Sequence, residues 1–174
     1  PPFRPRFVDR AIASSKGADI LLIMNKSDFG LTEDEFERWA LYHKLGYSIV
    51  DVSALTGEGI DDVKAYLKGK TTAFVGQSGV GKSSLINRLM GTEQRIGDVS
   101  EKYNRGKHTT NHSLFIEGDD FNLIDTPGVR EILIPFEELS EVKNSFPELK
   151  DLKCMYSTCL HRGEPGCEAE HLVR

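Results

Sequence analysis

The chain has 174 residues, 39% of them hydrophobic and 28% charged, the mix of one soluble globular domain with room for a small appendage. Its 27 acidic and 22 basic residues leave a net charge of −5, so any contact with nucleic acid or an anionic membrane needs a local basic patch. No apolar run approaches the roughly 20 residues of a membrane span, the opening PPFRPRFVDR lacks a signal-peptide core, and the 3 cysteines crowd near the C-terminus, where a metal site suits them better than a disulfide framework. These features exclude collagen-like, membrane-spanning, disordered and disulfide-stapled classes and leave a cytoplasmic globular protein.

The chain carries no internal repeat. Short apolar runs alternate with amphipathic segments, the pattern of a mostly parallel α/β sheet flanked by helices. Residues 19–24 (DILLIM) predict a buried strand that stops at Asn25. In the helix expected next, Thr32 and Glu35 fit a capping box, Phe36, Trp39 and Leu45 lie near one face, and Gly46 is the stop. Trp39 reads as core. Residues 47–52 predict a second strand, and Ile60, Val63 and Leu67 a second helix with Gly69 behind it. Residues 71–75 predict a third strand, running into a Gly-rich loop and a helix from Lys82 to about Met90. The polar stretch 92–112 reads as a mobile loop. Residues 113–117 and 121–125 predict strands joined at Gly118-Asp119-Asp120. Residues 136–146 predict a helix ending before Pro147. From about residue 151 the chain is too poor in apolar residues for a core of its own.

Gly76-Gln77-Ser78-Gly79-Val80-Gly81-Lys82-Ser83 fits G-x-x-x-x-G-K-[ST] between a predicted strand and a predicted helix. Its glycines let backbone N–H groups turn inward around phosphate oxygens, and the helix N-terminus adds positive potential. Ser78, Gly79, Val80, Gly81, Lys82, Ser83 and Ser84 are the candidate phosphate-binding residues. Lys82 reaches the β- and γ-phosphates, and the Ser83 hydroxyl suits Mg²⁺. The loop does not choose between ATP and GTP, or between a kinase and a hydrolase.

Asn25-Lys26-Ser27-Asp28 follows a predicted buried strand. Guanine presents two adjacent donors that one carboxylate accepts together, and adenine lacks the pair. Asp28 in that role selects guanine, because the wrong base leaves its charge unpaired. Asn25 would tether neighbouring loops, with the Lys26 stem against the flat face of the base. The plain alternative is a polar turn with Asp28 as an N-cap. Ser53-Ala54-Leu55, after the next strand, has the form of a short loop that backs guanine with backbone N–H.

Asp125-Thr126-Pro127-Gly128 ends a predicted strand. An aspartate there holds Mg²⁺ directly or through water, and the Gly128 N–H contacts a γ-phosphate. Upstream, Arg105-Gly106-Lys107-His108-Thr109-Thr110 offers a threonine hydroxyl to complete the Mg²⁺ shell, Thr110 favoured slightly over Thr109. Near the C-terminus, Cys154-x₄-Cys159-x-His161-x₅-Cys167 supplies three thiolates and one imidazole. That is a closed tetrahedral Zn²⁺ set, structural rather than catalytic. His171 ranks well below His161 as a ligand, and His112 reads as a surface residue.

The order of these pieces is rotated, because the base-reading Asn25 precedes the phosphate loop at Gly76. Sites of open α/β sheets gather at the C-terminal ends of strands, so chain order can rotate without moving the site. The short stretch 68–71 is the expected join. The rotated order, GQSGVGKSSLIN, RGKHTT, DTPGVRE and the terminal Cys/His cluster together resemble the circularly permuted, ribosome small-subunit-dependent GTPases, the RsgA or YjeQ family. The resemblance covers nearly the whole chain. It implies a circularly permuted P-loop GTPase domain over residues 1–150 and a truncated zinc-binding segment over 151–174. It also implies a GTP hydrolase of late small-subunit maturation, with GTP and GDP, the small ribosomal subunit and its rRNA as partners; no membrane contact is expected, and a monomer is the expectation although the sequence does not encode oligomeric state. The family's N-terminal RNA-binding OB-fold has no room before Asp19, so the chain reads as a fragment.

Ras-like enzymes place a water-orienting Gln just after the Gly of the acidic motif. Here Val129 stands there, so hydrolysis is expected to be slow unaided. His108 and the ribosome are the candidate sources of the missing group, and a surface position or an RNA contact is the other reading of His108. The competing functional class is a GTP-dependent RNA- or ribosome-binding module with negligible hydrolysis. A permuted GTPase acting on the large subunit is disfavoured by the zinc set, and an ATP-using kinase by Asn25 and Asp28.

Overall fold

A computed structural model of the chain describes residues 3–15, 17–91, 113–128, 132–134 and 139–172. The expected loop at 92–112, with His108, Thr109, Thr110 and His112, lies outside the described residues, as does Val129. The elements in chain order are α1 (Pro5–Ser14), β1 (Leu21–Asn25), α2 (Glu33–Lys44), β2 (Ser48–Val52), α3 (Ile60–Leu67), β3 (Thr71–Phe74), α4 (Lys82–Met90), β4 (Leu114–Ile116), β5 (Asn122–Asp125), α5 (Leu139–Asn144) and α6 (Pro147–Lys150). Single 3-10 turns cover Ser27–Phe29 and Glu168–His171.

The predicted strands and helices between β1 and β5 form within a residue or two of their expected bounds. The capping box of α2 closes in both directions. The Glu35 amide donates to Thr32 Oγ1 at 3.3 Å and the Thr32 amide to Glu35 Oε2 at 3.1 Å. Trp39 is buried and its indole N–H donates to Asp51 at 3.0 Å, locking α2 to β2. Phe36 does not join that face. It is 62% exposed, because Phe3 takes the place beside Trp39, edge-on at 5.7 Å. Phe3 precedes α1, a helix the sequence reading passed over. Pro5 sits in its first turn, where a missing N–H costs nothing, and Val8 and Ile12 are spaced to one face. The last predicted helix ends at Asn144, and Pro147 opens the separate short helix α6.

One sheet was the expectation, and the hydrogen bonds among the described strands make two. β1 pairs β2 in parallel, from Leu21 opposite Ser48 to Asn25 opposite Val52. The second sheet has the order β3-β5-β4, with β3 parallel to β5 and β4 antiparallel to it. Side chains, not a backbone ladder, join β1 to β3. At the strand starts Lys70 pairs with Asp19 at 3.5 Å, and from α3 the Tyr66 hydroxyl donates to Ile20 O at 3.2 Å. At the strand ends Asn25 reaches the loop after β3. A common core binds both sheets. Val52, Val63, Leu67 and Leu123 are 0–1% exposed, and Leu21, Ile23 and Val50 pack against the same cluster. A second core gathers Ile12, Leu22, Trp39, Tyr42 and Tyr47 under α1 and α2. The C-terminal segment has a third, small centre, in which Cys159, Cys167 and Ala169 are the buried residues and Leu149 and Leu152 lean on them. Among the described residues, no helix is long and apolar enough to cross a membrane.

Candidate nucleotide site and metal centre

Three loops meet where β1, β2 and β3 end, and Asn25 is the joint. Its Nδ2 donates to Val80 O at 2.9 Å and to Gly81 O at 3.3 Å. Its Oδ1 accepts the Lys26 amide at 2.9 Å and the Ala54 amide at 3.1 Å. Both donors and both acceptor positions of the amide are therefore used. Only glycine fits at 81: a Cβ there would stand 2.4 Å from Asn25 Nδ2, and its φ of +85° lies in the left-handed region. Lys26, itself left-handed at φ +72°, extends its ammonium to Gly79 O at 3.1 Å. The side chain expected on a base face thus spans the phosphate loop.

Asp28 is exposed at the rim and accepts the buried Ser53 hydroxyl at 2.6 Å. Ser53 Oγ in turn accepts the Thr56 amide at 3.1 Å. The hydroxyl holds one carboxylate oxygen and leaves the other for a ligand. The Ala54 amide is directed to Asn25.

The acidic motif closes the opposite wall. The Thr126 hydroxyl donates to Phe74 O at 2.6 Å, pinning the end of β5 to the end of β3. Gly128 passes so near the phosphate loop that a Cβ on it would lie 3.3 Å from the Ser78 amide nitrogen. The Lys82 ammonium donates to Asp125 Oδ1 at 2.5 Å and to Thr126 O. The phosphate-loop lysine and the acidic carboxylate so face one space, while Ser83 and Ser84 are exposed at the start of α4. The Ser83 hydroxyl and Asp125 carboxylate are hard oxygen donors, the set Mg²⁺ prefers. The structure brings Asn25, Lys26, Asp28, Ser53 and Ala54 together with Ser78 to Lys82, Asp125 and Gly128.

At the C-terminus, Cys154, Cys159, His161 and Cys167 place their ligand atoms within 4.8 Å of one another, and His171 is not among them. His161 Nδ1 lies 3.5, 3.7 and 3.5 Å from the sulfurs of Cys154, Cys159 and Cys167. Zn–S bonds of about 2.3 Å and a Zn–N bond of about 2.0 Å at tetrahedral angles require N···S separations of about 3.5 Å. The separations from His161 to the three sulfurs therefore match those a tetrahedral ion would set. The His161 amide favours the Cys159 thiolate, but burial and the neighbouring Cys167 and Cys154 thiols outweigh it and push that thiol up to about 11. A metal taken up there displaces a proton. Glu164 accepts the Leu160 amide at 2.9 Å and the Arg162 amide at 2.6 Å, and these bonds hold its carboxyl down to about 2. Glu164 carries no signal in the sequence beyond being a carboxylate inside the spacing between His161 and Cys167.

Fold and site together define a P-loop nucleotide-binding domain whose motifs run in permuted order, with a Cys₃His group that could hold a metal at its C-terminal end. The model of the RsgA GTPase family matches residues 1–135, and the chain belongs to that family. A small ribosomal subunit biogenesis GTPase RsgA from Borreliella burgdorferi (strain ZS7) is 39% identical over 173 residues, which cover 96% of this chain and 56% of that protein. The crystal structure of YjeQ from Thermotoga maritima superposes with a TM-score of 0.75 at 31% identity, covering 98% of this chain and 59% of the other. The structure of YloQ, described as a circularly permuted GTPase, shares the fold with a TM-score of 0.72 at 24% identity, covering 99% of this chain and 57% of the other. The chain thus spans a little over half the length of the relatives it matches.

Proposed function

We propose that the chain is the catalytic part of a GTP hydrolase of late small-ribosomal-subunit maturation, Mg²⁺-dependent, slow alone and stimulated by the ribosome. The observation that carries the reading is the Asn25 joint, which ties the base-reading loop to a phosphate loop 55 residues later. Asp28, held by Ser53, reads the guanine. Backbone N–H groups from Ser78 to Ser84 take the phosphates, and the Gly128 amide meets the γ-phosphate. The Lys82 ammonium leaves Asp125 for the β- and γ-oxygens, which frees that carboxylate. Ser83, Asp125 and Thr110 would hold Mg²⁺, which when bound would neutralise charge on the phosphate oxygens. His108 orients the attacking water in place of the missing Gln. Cys154, Cys159, His161 and Cys167 hold one structural Zn²⁺. The division at residues 1–150 and 151–174, a monomeric state, a cytoplasmic location and contact with rRNA belong to the same proposal.

Val129, where Ras-like enzymes carry Gln, favours a second reading: a GTP-dependent ribosome-binding module with negligible turnover. Multiple-turnover GTP hydrolysis, with and without small subunits, separates the two. The experiment is run on this chain and on the full-length relative from B. burgdorferi. Stimulated turnover supports the enzyme, and H108A should abolish the stimulation while keeping nucleotide affinity. In Asp28→Asn, preference should move from GTP toward XTP, because an amide N–H pairs with the added carbonyl. Unaltered GTP affinity in that variant removes the base-reading assignment.

A further inference from the structure

The Cys₃His cluster leaves one feature unexplained by its ligands. His161 has a φ of +59°, a left-handed conformation that a side chain with a Cβ rarely adopts. From that turned backbone its Nδ1 faces all three sulfurs. The amides of the two residues that flank His161 are held by one carboxylate. Glu164 Oε1 accepts the Leu160 amide at 2.9 Å, and Oε2 accepts the Arg162 amide at 2.6 Å. The carboxylate straddles His161, fixing the backbone before and after it. Oε2 also receives the Cys159 Sγ at 3.6 Å, which puts the same group against a second ligand. Glu164 itself is not among the clustered ligand atoms.

We infer that Glu164 is a positioning residue for the metal centre, a carboxylate staple that holds His161 in its left-handed turn and presents the ligand loop already shaped for a tetrahedral ion. The inference rests on the zinc reading of the cluster. Two opposing effects decide its sign. Preorganisation by two charge-assisted hydrogen bonds lowers the ordering cost of binding. The negative charge beside a thiolate works against it. The carboxylate is spent on two backbone donors, and both bonds are short, so preorganisation wins. An outer partner of this kind typically changes metal affinity by about 10- to 100-fold when altered.

The test uses the whole 174-residue chain loaded with zinc and measures transfer of the ion to a chromogenic chelator. Glu164→Gln should release zinc about tenfold faster or more. Glu164→Asp, which keeps the charge but is a methylene too short to reach both amides, should fall between Gln and the unaltered chain. Glu170→Gln removes the same charge from an exposed position of the same segment and should stay within about twofold, since surface substitutions of this kind are nearly neutral. At saturating Co²⁺, Glu164→Gln should keep the thiolate charge-transfer and tetrahedral d–d bands of the unaltered chain. Loss of those bands with native Trp39 fluorescence also supports the staple, because it means the loop no longer forms while the rest of the fold stands. Release from Glu164→Gln no faster than from Glu170→Gln, or slower than from the unaltered chain, overturns the inference alone. Failure of the unaltered chain to take up one zinc overturns the zinc reading with it.

Discussion

The nucleotide site and the metal loop solve the same problem, placing several polar groups within a few ångströms, by opposite means. Asn25 draws on partners 29, 55 and 56 residues away, one just past the end of β2 and two where the phosphate loop enters α4. The metal ligands all lie between Cys154 and Cys167, and the centre they build has Cys159, Cys167 and Ala169 as its buried residues. The first arrangement is made by hydrophobic burial and exists before any ligand arrives. The second has little apolar surface to bury, so on the zinc reading the ion would supply the cohesion. The difference teaches where each region is vulnerable: the first to loss of a long-range bond, the second to loss of the metal.

Removing a metal ligand gives the largest expected effect. Cys159→Ser should weaken zinc binding by roughly a thousandfold or more and open residues 151–172 to protease. Affinity for a fluorescent guanine nucleotide should stay within about threefold, because Lys82, Asp28 and Asn25 stand on a separate core. Chelator competition, limited proteolysis and nucleotide titration read the three quantities. A collapse of nucleotide affinity would erase the contrast between the regions.

Breaking the joint of the nucleotide site comes next. Asn25→Ala deletes four hydrogen bonds, each worth about 1 kcal/mol net. Nucleotide affinity should fall by roughly 30- to 1,000-fold, on the order of 2–4 kcal/mol allowing for rearrangement. Asn25→Asp sharpens the result. It keeps the acceptors for the Lys26 and Ala54 amides and loses the donors to Val80 and Gly81. Its loss should come mainly from the phosphate loop. A change within threefold in Asn25→Ala means that the base-reading and phosphate-reading loops are not coupled through this side chain.

The same contrast governs what the sequence disclosed. Local chemistry was legible: the Thr32–Glu35 box, the strand-to-helix phosphate loop and the Cys/His spacing each follow from neighbours along the chain. The family resemblance let the rotated order be read as one fold. What escaped depends on contacts that no spacing encodes. Phe36 and Phe3 are equally apolar, and only the placement of α1 decides which of them covers Trp39. The single expected sheet appears as two because hydrogen bonding between β1 and β3 is a matter of separation in space, which periodicity does not carry. Glu164 looked like any loop carboxylate until the turn at His161 gave it two amides to hold.

The smallest effect concerns the seam between the α1–α2 core and α6, which leads into the metal loop: Tyr47 donates to Glu148 of α6 at 3.1 Å, and beside it Tyr42 donates to Asp9 of α1 at 2.7 Å. The two rings meet edge-on at 6.0 Å. Burial first, then the bond to Asp9 and its charge, pushes the Tyr42 hydroxyl well above the ordinary tyrosine range. Burial and the adjacent Glu148 do the same for Tyr47. A raised value means that the folded protein keeps protons the unfolded chain loses. Their contribution is fully present below about pH 10, where the unfolded chain also keeps its phenol protons, and is lost as the pH rises through the folded values. Each tyrosine held neutral should steepen the fall by about 1.4 kcal/mol per pH unit above pH 10. Phenolate absorbance shows which of the 5 tyrosines lag, and Tyr47→Phe should remove one lagging ionisation at a cost of about 1 kcal/mol. If Tyr47→Phe also speeds zinc release, the seam transmits strain to the metal loop, and the two regions are less separate than their cores imply. Unchanged release locates the resistance of the metal loop within its own few residues.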